Sequence, residues 1–316
     1  MSIVCITPVR HLEGVYERLE KYRDTIYEPE ITRDNLSKLL SENSDIEYLF
    51  TNPNKQSFIL DRGILENSNI KIINTCSTGL NHIDMNYCEK NNIEVWSLKE
   101  DFELINELPS TAELSFGLMM SLLRKIPEGF NSVKRGEWNY EPFIGRQIKG
   151  LTIGIVGYGR LGRITVELLK GWGVKILVND PYVDVDNENC IRTTMTEVWK
   201  QSDVVFLHLH VTDTTRELVS DYFISRMKKG SILINTSRGE LVNERDVINS
   251  IKEGHLGGYG TDVIADEFGN IKNSELVKFS KKNHNVVITP HIGGMTWEGQ
   301  TKAYKWAIDK FGGINE

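Results

Sequence analysis

Long apolar runs are missing from this chain of 316 residues. The densest apolar stretch, near Leu114 to Leu123, is about half a membrane span, so no association with a membrane is expected. An excess of basic charge is missing as well: 37 Lys and Arg face 44 Asp and Glu, for a formal net charge of −7. Binding nucleic acid needs clustered Lys and Arg against the phosphates, so that class of partner is not expected. Cysteine is scarce. Cys5, Cys76, Cys88 and Cys190 stand at no metal-ligand spacing, and a chain of this length does not depend on disulfides. No metal is therefore expected. The opening residues Met-Ser-Ile-Val-Cys-Ile lack the charged and apolar regions of a leader peptide and read as a first strand. Together with the sparse cysteines, this leads to an expected cytoplasmic location with reduced thiols. Internal repeats and low-complexity segments are also absent. What remains is ordinary globular composition, 40% apolar and 26% charged, with enough length for two domains.

Against that background one stretch stands out, Gly-Ile-Val-Gly-Tyr-Gly-Arg-Leu-Gly at 154–162. Leu151 to Val156 reads as a buried strand and Arg160 to Lys170 as a helix, with Gly157, Gly159 and Gly162 at the spacing of a dinucleotide-binding turn. In such a turn the first glycine permits the bend and the second lets the backbone approach a pyrophosphate. The third lets helix and strand pack closely. Unpaired N–H groups and the dipole at the helix start favour the negative charge of a pyrophosphate. A second strand, Val174 to Val178, delivers Asp180. An acid there accepts hydrogen bonds from a ribose and repels a 2′-phosphate, so NAD is expected over NADP.

Strands and polar helical stretches alternate along the rest of the chain. The first hundred residues give strands at Ser2–Thr7, Tyr48–Thr51, Ile72–Cys76 and Glu94–Ser97, a small α/β unit. Pro109 opens a long helix running to about Lys125, with Ser110 and Glu113 at capping-box spacing. Glu113 therefore reads as a cap rather than a catalytic acid. The helix is apolar nearly all round, so burial between domains is expected. After the glycine turn, strands continue at Val204–Leu209, Ile232–Asn235, Gly258–Asp262 and Val286–Thr289. Thr296 to Lys310 reads as a last helix that could return to the N-terminal unit. The expected fold is thus α/β, two Rossmann-like domains with doubly wound parallel sheets. A discontinuous substrate-binding domain would comprise residues 1–106 and 296–316, and a dinucleotide-binding domain residues 107–295.

Ligands of open parallel sheets bind beyond the carboxyl ends of the strands. Thr236-Ser237-Arg238-Gly239 follows one strand, Val263 to Glu267 the next, and Pro290-His291-Ile292-Gly293-Gly294 the last. Arg grips a carboxylate through two parallel N–H bonds, and His exchanges a proton near neutral pH beside an orienting acid. Those are the parts needed to move a hydride and a proton to or from a 2-hydroxy acid. Singly, each has a plainer meaning: Arg238 a surface ion-pair residue, Glu267 a solvated acid, His291 a satisfied loop histidine like His11, His255 and His284. Jointly, they follow three strands of a dinucleotide-binding sheet, and the functional meaning is the better one.

From about Ile72 to Gly299 the chain resembles the D-isomer-specific 2-hydroxyacid dehydrogenases. The resemblance is carried by Gly-Tyr-Gly-Arg-Leu-Gly at 157–162, Asn-Thr-Ser-Arg-Gly at 235–239 and Thr-Pro-His-Ile-Gly-Gly at 289–294. The steps of 29 residues from Arg238 to Glu267 and of 24 to His291 also fit. The resemblance implies that Arg238 binds the substrate carboxylate and polarises the keto group, that His291 is the acid/base and that Glu267 is its partner. It places Arg160, Leu161, Asp180, Thr236 and Asp262 around NAD, with Asp262 at the carboxamide. Ser77-Thr78-Gly79 resembles the loop whose backbone amides hold the substrate carboxylate, so Thr78 and Gly79 are expected to bind substrate. His82 and Asp84, which complete that pattern, read as a helix start. A cleft that closes over cofactor and substrate, and a homodimer built through the helix near Leu114–Leu123, are further implications.

The sequence departs from the family pattern in places. Phe268 follows Glu267 where proline is common, and His210 stands after Leu207-His208 at another usual proline. Phe50-Thr51-Asn52-Pro53-Asn54 lacks the arginines with which phosphoglycerate dehydrogenases of the family hold a phosphate, and no regulatory domain is expected after Glu316. A phosphorylated substrate is therefore not supported. The alternative of another class is an NAD(H)-sensing binding protein, like the corepressors that share the fold and the Arg, Glu and His positions. A formate dehydrogenase is disfavoured because Glu267 stands where that branch places an uncharged partner for the histidine.

Overall fold

Short runs of β-branched and aliphatic residues, buried on both faces, build most strands of this protein, as expected where helices cover both sides of a parallel sheet. The computed structural model describes residues 1–53 and 57–315; Asn54, named above, and Glu316 lie outside the described residues. The chain divides into two units, Met1–Leu108 with Met295–Glu316, and Pro109–Gly294.

The first unit holds β1 (Ser2–Cys5), β2 (Thr25–Tyr27), β3 (Ile46–Thr51), β4 (Ile72–Thr75) and β5 (Glu94–Trp96). They form one parallel sheet in the order β2-β1-β3-β4-β5. Alternation along β1 sends Ile3 and Cys5 to one core, with Leu19 and Phe50, and Val4 to the other, with Leu36 and Leu49. The helix Trp297–Asp309 belongs to this unit. Asn74 Nδ2 donates to Ala307 O at 2.7 Å, and Asn52 Nδ2 to the Tyr304 hydroxyl at 3.0 Å. Asp84 caps the helix Met85–Lys90, accepting from Tyr87 N–H at 3.0 Å. His82 is fully buried, its Nε2 3.0 Å from Thr75 Oγ1. Asp84 matches the expected helix start, whereas His82 stands before the cap, against Thr75.

The second unit holds β6 (Thr152–Val156), β7 (Lys175–Asn179), β8 (Ile191–Arg192), β9 (Val204–Leu207), β10 (Ile232–Asn235), β11 (Gly258–Thr261) and β12 (Val286–Ile288). All pair in parallel, in the order β12-β11-β10-β9-β6-β7-β8. Strand order reverses between β6 and β9, which makes that gap the topological switch point. One expectation needs correcting. The long helix spans Ser110–Leu123 and carries no side-chain cap. Ser110 is its first helical residue, one position too far in for the capping box. Within its own unit the helix packs on β10, β11 and the helix Arg160–Leu169.

Candidate active site

Three loops leave the carboxyl ends of β10, β11 and β12, strands adjacent in the sheet and therefore about 4.8 Å apart. The first loop carries Thr236, Ser237 and Arg238. Asn235 braces it, accepting from Ser237 N–H at 3.0 Å and donating to Arg238 O at 2.9 Å. Ser237 Oγ donates to Leu207 O at 2.7 Å, tying the loop to β9. Arg238 is half-buried and donates through Nη1 to Ser237 O at 2.7 Å. Among the described residues no carboxylate lies within ion-pair distance of it, which leaves its charge available to an anionic ligand.

The third loop is fastened by Asp262, the residue just past β11. Its Oδ1 accepts from Thr289 Oγ1 at 2.5 Å and from Ile292 N–H at 2.8 Å, and its Oδ2 from Gly293 N–H at 2.7 Å. Its carbonyl accepts from His291 N–H at 2.9 Å. Burial pushes the Asp262 carboxyl up, and these donors and the nearby His291 work against that. The fastening has a purpose: His291 sits at φ +53°, a left-handed conformation costly for a residue with a Cβ. So held, His291 Nδ1 lies 2.9 Å from Glu267 Oε2. The Glu267 side chain is 18% exposed and that of His291 39%. The acid is thus sheltered while the imidazole remains reachable, its Nε2 without a partner among the described residues. The structure brings Glu267 and His291 into contact and sets Arg238 on the neighbouring strand end.

The glycine turn follows β6. Gly157 has φ +96°, and a Cβ on it would come within 2.2 Å of His208 O. A Cβ on Gly162 would stand 2.2 Å from Gly157 O, whereas one on Gly159 would project into open space. Gly159 thus offers the approach a pyrophosphate needs, at the start of the ten-residue helix Arg160–Leu169, which has no side-chain cap. Leu161 and Arg160 stand in its first turn; burial lowers the Arg160 pKa. Thr236 Oγ1 is buried with no partner among the described residues. Open turn, uncapped helix and unpaired hydroxyl together fit a dinucleotide. Asp180 does more than expected. Its Oδ2 accepts from Tyr158 N–H at 2.8 Å, and its Oδ1 from Tyr182 and Val183 N–H at 2.8 and 3.0 Å. It therefore shapes the turn as well as offering an acceptor to a ribose.

Thr78 and Gly79 stand on the other unit, after β4, where Ser77 Oγ donates to Gly79 O at 2.7 Å. Of the remaining histidines, His255 Nε2 contacts Ile224 O at 3.0 Å, and His210 and His284 have exposed side chains. His208 was not singled out from sequence. It directly follows β9 at the switch point, its Nε2 2.9 Å from Thr165 Oγ1, and burial with nearby Arg160 pushes it down to about 3. Its position directly after a central strand was the available signal. Among the described residues, no cluster of His, Cys, Asp and Glu could hold a metal ion, and no helix is long and apolar enough to cross a membrane.

A doubly wound sheet with an open glycine turn at its switch point is the architecture of a dinucleotide-dependent enzyme. Residues 116–293 match the family model described as D-isomer specific 2-hydroxyacid dehydrogenase, NAD binding domain. The chain is 34% identical over 242 residues to 2-hydroxyacid dehydrogenase A of Aspergillus oryzae, covering 75% of this chain and 68% of that protein. It is 34% identical over 252 residues to a glyoxylate reductase of Thermococcus litoralis, covering 76% and 73%. Among solved structures, D-lactate dehydrogenase from Aquifex aeolicus, complexed with NAD and lactic acid, superposes with TM-score 0.81 at 24% identity, covering 100% of this chain and 95% of that one. The chain spans less than half the length of the D-3-phosphoglycerate dehydrogenases it matches, 42–45%. The chain belongs to the D-isomer specific 2-hydroxyacid dehydrogenases. It is an oxidoreductase acting on the CH–OH group of its donor, with NAD as cofactor.

Proposed function

We propose that this protein interconverts a small, unphosphorylated 2-hydroxy acid and its 2-oxo acid, with His291 as acid/base. The observation that carries the reading is the 2.9 Å contact between His291 Nδ1 and Glu267 Oε2, one strand away from Arg238. NAD, when bound, supplies the hydride acceptor, and its reduced form the donor. Gly157, Gly159, Arg160, Leu161 and Gly162 would hold the pyrophosphate, Asp180 the ribose, and Thr236 and Asp262 the nicotinamide end. Arg238 binds the substrate carboxylate and polarises the 2-oxo group, with the backbone at Thr78 and Gly79 as a second anchor. His291 Nε2 gives its proton to the oxygen on C2 in reduction and takes it back in oxidation. Glu267 orients the ring and stabilises its protonated form. Phe50 to Pro53 present no cationic side chain for a phosphate, and for that reason the substrate is read as unphosphorylated.

We also propose a cytoplasmic location and a homodimer. Cys5, Cys76, Cys88 and Cys190 are unpaired thiols, and burial pushes Cys5 up to about 12, which suits a reducing cytoplasm. A homodimer would cover the exposed apolar side chains of Ile126, Phe130 and Val133.

A panel of 2-oxo acids assayed with NADH (glyoxylate, pyruvate, hydroxypyruvate, branched and phosphorylated examples) identifies the working substrate. With it, Arg238→Lys keeps the charge and loses the planar fork. The expected result is a loss of kcat/KM of at least about 100-fold, roughly 2.7 kcal/mol, with NADH affinity unchanged. Near-native turnover would remove Arg238 from the mechanism.

A further inference from the structure

Glu267 meets His291 only if the loop that carries it, running on from β11, is held in place, and that loop has few fasteners. At its start Thr261 Oγ1 donates to Val263 O at 2.6 Å. Next, the backbone of Ile264 and Ala265 lies directly over Gly239, where a Cβ would come within 2.0 Å of Ile264 C. At Ala265 a side chain reaches in from another element. Ala265 N–H donates to Glu244 Oε1 at 2.8 Å. Glu244 is the first residue of the helix Glu244–Lys252, whose cap is Asn243, accepting from Asp246 N–H at 3.2 Å. Two residues after Ala265 comes Glu267, and His291 is its one side-chain partner among the described residues.

We propose that Glu244 is a positioning residue that sets Glu267 against His291. The proposal rests on the reading of that pair as the acid/base machinery. Its physical basis is the short distance from fastener to acid. Two residues span about 7 Å at full extension, so a shift at Ala265 passes to Glu267 with little loss. Stretching a 2.9 Å contact by even 0.7 Å would take it out of hydrogen-bonding range. The location of Glu244 also fits a fixed role rather than a solvated one. Its side chain is half-buried; burial and then the neighbouring Asp266 charge push its carboxyl up, while the Ala265 N–H pulls it down. The start of its own helix favours the ionised form as well. Tyr259 is also influenced by the Glu244 charge, and Asp262 by His291.

The test compares Glu244→Gln, which retains an acceptor oxygen, with Glu244→Met, which has similar length and cannot accept. Glu267→Gln serves as the reference for a pair that has lost its charge. In Glu244→Met, kcat for 2-oxo acid reduction should fall about tenfold, with the Kd for NADH within twofold of native. The pH at which reduction declines should move downward, in the same direction as in Glu267→Gln. Glu244→Gln should keep both kcat and the profile near native. If Glu267→Gln moves the profile and Glu244→Met does not, Glu244 has no positioning role and the catalytic pair stands. If Glu244→Gln is as impaired as Glu244→Met, the accepted hydrogen bond is not what matters and the proposal falls. If Glu267→Gln moves nothing, the reading of the pair fails before that of Glu244. Should Glu244→Met not fold, Ala265→Pro removes the donor instead and carries the same expectations.

Discussion

His208 shows how one side chain couples the dinucleotide turn to the stability of its unit. Its carbonyl fills the space behind Gly157, its Nε2 meets Thr165, and its pKa falls from 6.5 to about 3. In the unfolded chain an ordinary histidine takes up a proton near pH 6.5, and the folded one does so only near pH 3. Between those values the unfolded state binds more protons, so acid weakens the fold in that window and the contribution is fully present above it. At pH 5 the loss is about 2 kcal/mol relative to pH 7. Native protein should therefore lose more stability than His208→Gln on going from pH 7 to 5, measured as Tm or denaturant midpoint. Equal losses would show that His208 is not held neutral. At this scale the sequence revealed residue types and strand-end positions, enough to single out Arg238, Glu267 and His291. It did not reveal that Asp262 and Asp180 spend their carboxylates on backbone N–H groups, because those partners stand up to 31 residues away. Nor did it reveal Glu244, whose partner Ala265 lies 21 residues on.

Elements were legible in proportion to their apolar pattern. The buried strands of both sheets follow from short β-branched runs. β2 and β8 were not foreseen: they are edge strands of three and two residues, half-buried and exposed, with no alternation to betray them. The helix Ser110–Leu123 read as buried, and within its own unit it packs Leu118, Met119 and Leu123 into the core of the sheet. Exposed apolar surface falls instead on the segment that follows. The helix Ile126–Lys134 exposes Ile126, Phe130 and Val133, and after it Trp138 is 91% exposed, Tyr140 80% and Ile144 71%. Six large exposed apolar side chains within nineteen residues of sequence suit an interface better than bare solvent contact, and a second copy of the chain is the proposed partner. Light scattering should give twice the chain mass of 36.1 kDa for native protein. Phe130→Glu with Ile144→Glu should give the single chain. A native monomer at micromolar concentration would contradict the proposal.

For the whole molecule, the alternation of strands and helices was enough to reach two doubly wound sheets, since parallel strands need crossovers and crossovers fix the topology. The return of the helix Trp297–Asp309 to the first unit was also legible, from a last helix that follows the final strand of the second. Substrate identity was not. It depends on side chains lining a pocket, and those obey no periodicity. What the molecule does rests on one claim, that Glu267 and His291 act as a coupled acid and base. The most direct test is kcat/KM against pH in both directions, for native protein and Glu267→Gln. An ionised carboxylate 2.9 Å from the ring stabilises the protonated imidazole, which reduction of a 2-oxo acid requires and oxidation of the hydroxy acid must lose. Glutamine keeps the shape and removes the charge. The descending limb of reduction and the ascending limb of oxidation should therefore both move to lower pH. If neither limb moves, Glu267 does not tune the acid/base and the account is wrong.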